Sequence, residues 1–250
     1  MMVAMPVDPV AVLYGIAVLG FAVGTYIGWR LLTDDPDLAE RGAFKYLLLI
    51  PTVAGVSYVV MFFDIGTVTV GEQTLVVPRY VDWVITTPVL VGYIGYVATA
   101  PRKWIVGLVV ADALMIVTGG IATITTGLSQ WIFLGASGLG HASLLGVLYF
   151  VLPRFVPDDP TRKGLFKLLQ NHVGLLWLAY PTVWLFGPAS LGLMSGVGLS
   201  LIIAYLDVVA KTPYLYFIWG NTKAFELDES VEADDADATA EDAPGGSPAV

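Results

Sequence analysis

Lys211 lies in the middle of an apolar run, AYLDVVAKTPY, with Asp207 four residues before it. Four residues is about one helical turn, so the amine and the carboxylate share a face. A charged group at mid-membrane costs roughly 2.5–3.5 kcal/mol on insertion scales. The alternative to chemistry is a plain ion pair that locks two helices. Buried pairs contribute little to stability, however, which favours a chemical role. A desolvated amine is a nucleophile that attacks a carbonyl to form a Schiff base. When protonated, that linkage keeps a positive charge and needs carboxylate counter-ions. Asp207 and Asp82 are the candidates.

Asp82 sits in a second apolar run, RYVDWVITTPVL, residues 79–90. Arg79 is three residues before it, on the same face, and Thr86 is four beyond, within reach of a hydrogen bond. Pro88 removes a backbone bond and predicts a kink. Asp112 is a further carboxylate inside an apolar run, while Asp64 stands near a run end. A third segment, WLAYPTVW, repeats Trp177, Tyr180-Pro181 and Trp184 on one face. Such a stripe is usually side-chain packing or an interfacial belt. Its place in mid-span removes the belt reading. Beside a Schiff-base lysine it predicts the wall of a pocket for a long, flat, apolar ligand.

These residues need elements that hold them in lipid. The 250 residues are 56% hydrophobic before glycine is counted, and 13% charged. Soluble domains carry about 25% charge. Mean hydropathy is +0.76. Such a chain requires lipid as its solvent. The absence of Cys removes disulfides and thiolate sites, and two His argue against a metal centre. Seven apolar runs, near 10–32, 44–63, 79–99, 103–125, 130–152, 164–187 and 197–220, each have the length of a spanning helix. The first has no basic leader and no small-residue cleavage site, so it reads as a span. Alternating Val and Thr around Gly71-Glu72 predict a short β-hairpin between the second and third spans.

The net charge of −9 belongs to the C-terminus. From Glu226 on there are nine acids and no base, leaving the rest balanced at twelve against twelve. Residues 1–222 are expected to form the helical domain and 223–250 a disordered, solvated acidic tail. No basic patch offers a nucleic-acid surface. Of the twelve bases, ten fall on one side of a seven-span topology. That predicts a multi-pass cell-membrane protein with its N-terminus outside and its C-terminus cytoplasmic. Arg79 and Lys211 are the exceptions.

The chain resembles the microbial (type 1) rhodopsins, in the archaeal bacteriorhodopsin and sensory rhodopsin group. RYVDWVITTPVL is similar to the family's third-helix signature, AYLDVVAKTPY to its retinal-lysine signature, and WLAYPTVW to its sixth-helix pocket. The resemblance covers about residues 8 to 222. It implies an all-α bundle of seven transmembrane helices around retinal on Lys211. It implies Asp82 as primary counter-ion and proton acceptor, Asp207 as second counter-ion, and Arg79 as the extracellular partner of Asp207. Tyr58 and Tyr180 would bond Asp207. Tyr80, Trp83, Thr87, Leu90, Met115, Gly119, Trp177, Pro181 and Trp184 would line the polyene, with Thr86 and Ala210 beside it. Asp112, paired with Thr87, would tie the third and fourth helices together. Leu134, Ser137, Gly138 and His141 would complete the pocket on the fifth helix.

The family includes proton pumps, chloride pumps and phototaxis receptors. Asp82 excludes the chloride type, which has a neutral residue there. Proton pumps place an aspartate donor eleven residues after the acceptor; here that position is Tyr93. They also place two glutamates where this chain has Ala189 and Leu199. Acceptor without donor or release pair implies slow reprotonation and a long-lived state, which suits a sensor. Tyr205 matches the tyrosine that receptors present to a membrane transducer, and Ser195 falls near a second contact. Each also reads as an ordinary helix-end residue. Ala210 and Asp112 are pump-like. The mosaic resembles the sensory rhodopsin II and middle rhodopsin branch.

The expectation is therefore a photoreceptor, not an enzyme, signalling through the family's helices F and G, the sixth and seventh spans. Weak outward proton transport and a homo-oligomer are compatible with it. A slow light-driven proton pump is the alternative, and a retinal-free seven-helix protein is the third reading.

Overall fold

A computed structural model describes residues 8–225. The acidic tail from Glu226 on lies outside the described residues. Helix α1 (Pro9–Asp34) begins after Asp8, whose carboxylate accepts from Val10 N at 3.0 Å. Proline suits a first helical position, where its missing N–H would have had no partner. Val12, Ile16, Leu19, Val23 and Tyr26 face outward along α1. An apolar stripe turned outward is what lipid demands. The other face carries Gly20, Gly24 and Gly28. A Cβ at Gly24 would meet Thr212 Oγ1 at 2.7 Å, so glycine permits the close approach of α1 to the last helix.

The first loop contains a short helix, α2 (Pro36–Glu40). The second span is α3 (Gly42–Leu47) followed by α4 (Leu49–Phe62). Pro51 has no N–H for the Leu47 carbonyl, and the break falls there. Asp64 takes φ of 54° and accepts from Thr67 Oγ1 at 3.1 Å, the role of a turn residue. Strands β1 (Thr67–Val70) and β2 (Gln73–Val76) then pair antiparallel, Thr67 opposite Val76. Gly71, at φ 62°, closes the hairpin.

Helices α5 (Val77–Val97), α6 (Arg102–Ile124) and α7 (Gly127–Gly146) follow. A π turn (Val147–Val151) and a 3₁₀ turn (Leu152–Arg154) extend α7. The sixth span is α8 (Pro160–Trp177) and α9 (Ala179–Phe186), and the seventh is α10 (Gly196–Trp219). Among the described residues six helices, with α3 and α4 counted together as one, are long and apolar enough to cross a membrane. The sixth span is divided at Leu178, because Pro181 cannot bond the Trp177 carbonyl. Pro88, by contrast, lies inside an undivided α5.

The result is a seven-span bundle with a small hairpin at one end. Helix α1 packs between α4 and α10, α5 between α4 and α6, and α7 along α6. Helix α8 lies against α5 and α10. A 3₁₀ turn (Thr222–Phe225) follows α10 and buries Phe225. The folded unit thus passes residue 222, where the helical domain was expected to end. An aromatic side chain with a place in the core outweighs its polar neighbours.

The two ends of the bundle differ. The end that carries Arg41, Arg102, Arg154 and Arg162, the basic end, holds a large core that includes Phe44, Leu90, Tyr93, Ile94, Leu148, Phe166, Tyr214 and Phe225. The hairpin end holds a smaller cluster around Tyr14, Phe21 and Tyr58.

Candidate functional site

Lys211 on α10 and Asp82 on α5 meet between these two ends. Lys211 Nζ donates to Asp82 Oδ2 at 2.5 Å. Their side chains are 1% and 0% exposed. Thr86, one turn along α5, donates to the other oxygen, Asp82 Oδ1, at 3.0 Å. Both acceptor oxygens of Asp82 are thereby engaged.

Asp207 does not pair with Lys211, although the four-residue spacing put them on one face. Three other side chains hold it. Tyr58 Oη and Tyr180 Oη each donate at 2.7 Å, and Trp83 Nε1 donates at 3.0 Å. Lys211 reaches across to α5 instead.

Arg79 is buried one turn before Asp82. Its Nη2 donates to Tyr14 Oη on α1 at 2.9 Å, and its Nε has no partner among the described residues. The direct bond to Asp207 that the resemblance implies is not formed. Arg79 points toward the hairpin end, where Tyr14 in turn donates to Ser200 Oγ at 3.5 Å. Tyr14 was not singled out from sequence, since its role depends on α1 packing between α4 and α10, which brings it within reach of Arg79 on α5.

Behind Trp83 opens an apolar cavity of about 660 Å³, its mouth included. Tyr80, Trp83, Met115, Gly119, Leu134, Ser137, Gly138, His141, Tyr180, Pro181 and Trp184 line it. A second chamber shares Trp83, Met115, His141 and Tyr180, and adds Thr87 and Trp177. The space runs between α5 and α6 on one side and α7 and α9 on the other. Ile116 and Ile203 also line it and were missed. Ile203 is one turn before Asp207, so its face was readable from the spacing.

Six of the expected cofactor-binding residues stand away from the cavity walls, among them Tyr58, which serves Asp207. Thr86 serves Asp82, and Leu90 is buried with its carbonyl bonded to Tyr214 Oη at 3.0 Å. Ala210 is buried, and its carbonyl lies 3.2 Å from His172 Nε2. Asp112 lies behind Thr87, whose Oγ1 is 2.5 Å from Asp112 Oδ2 and 2.7 Å from the Trp83 carbonyl. Both are acceptors for one hydroxyl proton, and this joins α5 to α6. Lys211 itself is not a wall residue.

The donor set suits the retinal that the resemblance implies. Flat aromatic walls match a polyene, and the Lys211 amine bonds Asp82, the residue before the wall residue Trp83. Tyr80 and Trp184 are fixed by one hydroxyl, Thr123 Oγ1, at 2.7 and 3.2 Å.

On the basic side of Lys211 the position of Tyr93 is filled by packed aromatics. Tyr93 is buried and its Oη has no partner among the described residues. On the hairpin side the Ala189 carbonyl accepts from Gln130, and Leu199 packs near Gly187. Tyr205 is 64% exposed on α10. Ser195 caps the same helix, accepting from Gly198 N at 3.1 Å.

Residues 8–224 match the family described as bacteriorhodopsin-like protein. The chain is 54% identical over 218 residues to bacterial rhodopsin CSR3 of Haloarcula vallismortis, covering 87% of this chain and 92% of that one. It is 53% identical over 218 residues to sensory rhodopsin I of Haloarcula marismortui, with the same coverage. Identity to sensory rhodopsin-2 of Halobacterium salinarum is 33% over 234 residues, 93% of this chain and 97% of the relative. Among solved structures, thermophilic rhodopsin from Rubrobacter xylanophilus superposes with a TM-score of 0.80 at 28% identity, over 86% of this chain and 96% of that one. With signature residues, helix order and close relatives in agreement, the chain belongs to the bacteriorhodopsin-like family.

Proposed function

We propose that this protein is a sensory photoreceptor that binds retinal on Lys211 and signals to a membrane transducer. The carrying observation is the buried contact between Lys211 Nζ and Asp82 Oδ2. Bound there, retinal supplies absorption of visible light and isomerisation about a double bond. The protein supplies the rest. Asp82 takes the proton from the Lys211 nitrogen along the existing contact, and Thr86 orients the carboxylate. Asp207, fixed by three donors, is the second counter-ion. The aromatic walls hold the ligand flat. No substrate is converted, so the protein is a photoreceptor and not an enzyme.

Tyr93 favours sensing over pumping. A packed phenol with no bonded partner is a poor relay, so the proton returns slowly and the light-activated state persists. Higher identity to sensory rhodopsin I favours that type over the sensory rhodopsin II and middle branch that the sequence mosaic suggested. The charge bias supports a cytoplasmic basic end and C-terminus. Val197, Leu201 and Tyr205 form an exposed stripe at four-residue spacing on α10, and we assign the transducer contact there.

A second reading, slow outward pumping, draws on the Arg79–Tyr14–Ser200 chain on the hairpin side of the site. Illuminating vesicles and following external pH, with and without protonophore, separates the two. The sensor reading expects weak acidification or none. Fast, sustained acidification overturns it.

A further inference from the structure

Arg162 was read from sequence only as one of ten bases on a charged side. The structure buries it in the first turn of α8. Its Nε donates to the carbonyl of Val97, the last residue of α5, at 2.8 Å. Its Nη1 donates to the Ala224 carbonyl, beyond the end of α10, at 2.8 Å. Its guanidinium lies 4.4 Å from the ring centre of Phe225. One side chain therefore joins the ends of three spans. Helix ends leave carbonyls without intrahelical partners, and a charged fork is a strong way to satisfy them.

Phe225 closes this junction from above. It is fully buried, 4.9 Å from Phe44 and stacked on Tyr96 at 6.0 Å between ring centres. Tyr93 lies 6.5 Å away. Arg41 Nη1 holds the Phe225 carbonyl at 3.2 Å. The aromatic seal on the basic side of Lys211 is thus capped by a ring that Arg162 keeps in place.

Arg162 is also mechanically linked to the cavity. Trp177, fifteen residues further along the same helix, is a cavity wall. At 1.5 Å per residue the two are about 22 Å apart along α8. Immediately beyond Trp177 the helix is divided at Leu178, where Pro181 leaves a carbonyl unpaired. A tilt of about 10° at this break carries Arg162 by roughly 4 Å, more than a hydrogen bond tolerates.

We propose that Arg162 and Phe225 form a clamp that holds α8 closed at the basic end in the dark. Displacement of Trp177 in the light releases it. Arg162 is a positioning residue: it touches no ligand, yet it decides how readily the basic side opens and how fast the site recovers.

The chain contains no Cys, so Lys103→Cys and Lys167→Cys accept spin labels without background. Both positions are exposed, on α6 and α8. Label separation is measured by electron spin resonance on the full retinal-loaded chain, dark and illuminated. The parent is expected to show a longer distance only in light. In Arg162→Gln or Phe225→Ala the longer distance is expected in the dark as well. Recovery of the visible band after a flash is expected to speed up by roughly tenfold, the scale of one lost charged hydrogen bond. If Arg162→Gln forms no visible band, Phe225→Ala decides alone. The clamp is overturned if the parent distance is unchanged by light. It is equally overturned if variants with an intact visible band keep the parent's dark distance and recovery. Either result leaves the photoreceptor reading standing, because flash bleaching of the band tests that separately.

Discussion

The two halves of the bundle on either side of Lys211 are built from similar helices but wired differently. Toward the hairpin, polar side chains are connected. Asp207 accepts from Tyr58, Tyr180 and Trp83, and Arg79 bonds Tyr14. Toward the basic end, Tyr93 packs among Phe44, Tyr96, Tyr214 and Phe225, with its hydroxyl unbonded among the described residues. A buried polar group without a partner costs roughly 1–3 kcal/mol, so a sealed region rarely carries several. The contrast teaches that direction can be set by where donors are absent. In the proposed photocycle a proton leaving Lys211 has the Asp82 carboxylate 2.5 Å away, while its return from the other side has to pass hydrocarbon and aromatic rings.

The comparison can be broken at its centre first. Lys211→Ala is expected to abolish the visible absorption band when retinal is added, the largest effect. A band that survives would remove the covalent assignment altogether. Asp82→Asn is expected to keep a band, shifted to the red, and to slow proton loss from the lysine nitrogen by roughly 100-fold. Time-resolved absorption measures this. An unchanged rate would mean that another group is the acceptor.

Tyr93→Asp tests the asymmetry itself by placing a carboxylate in the sealed half. Recovery after a flash is expected to accelerate on the order of tenfold. If it does not, the seal is not what slows the return. Tyr58→Phe sharpens the picture of the connected half. Removing one bond to the Asp207 carboxylate is expected to cost about 2 kcal/mol, read as a lower midpoint for thermal bleaching. Ser195→Ala has the smallest expected effect, about 1 kcal/mol from loss of the α10 cap. Combined with Tyr205→Phe, it is expected to weaken transducer binding modestly. Unchanged binding would move the contact surface elsewhere.

Much of this was legible in one dimension. Apolar runs placed every span to within about a turn, because span length is dictated by bilayer thickness. Gly71 marked the hairpin, since few residues accept its positive φ. The aromatic stripe of the sixth span marked the cavity wall. Less legible were the breaks at Leu48 and Leu178, which depend on whether neighbouring helices compensate for a missing bond. Pro51 and Pro181 divide their spans, while Pro88 and Pro213 do not.

The sequence alone determined which groups carry charge in lipid, and how far apart they stand along each helix. Those are properties of composition and of a fixed rise per residue. It could not determine which of those groups meet. Spacing on α10 put Asp207 on the face of Lys211, only the family resemblance ranked Asp82 first, and the lysine bonds Asp82 on α5. Asp207 was expected for Arg79, and Tyr14 on α1 holds it. Arg162 counted only as one of ten bases on one side, but it is buried between three helix ends. Each of these partners comes from another span, and side-chain reach across a helix interface is set by how the helices pack. Only the tertiary structure decided that.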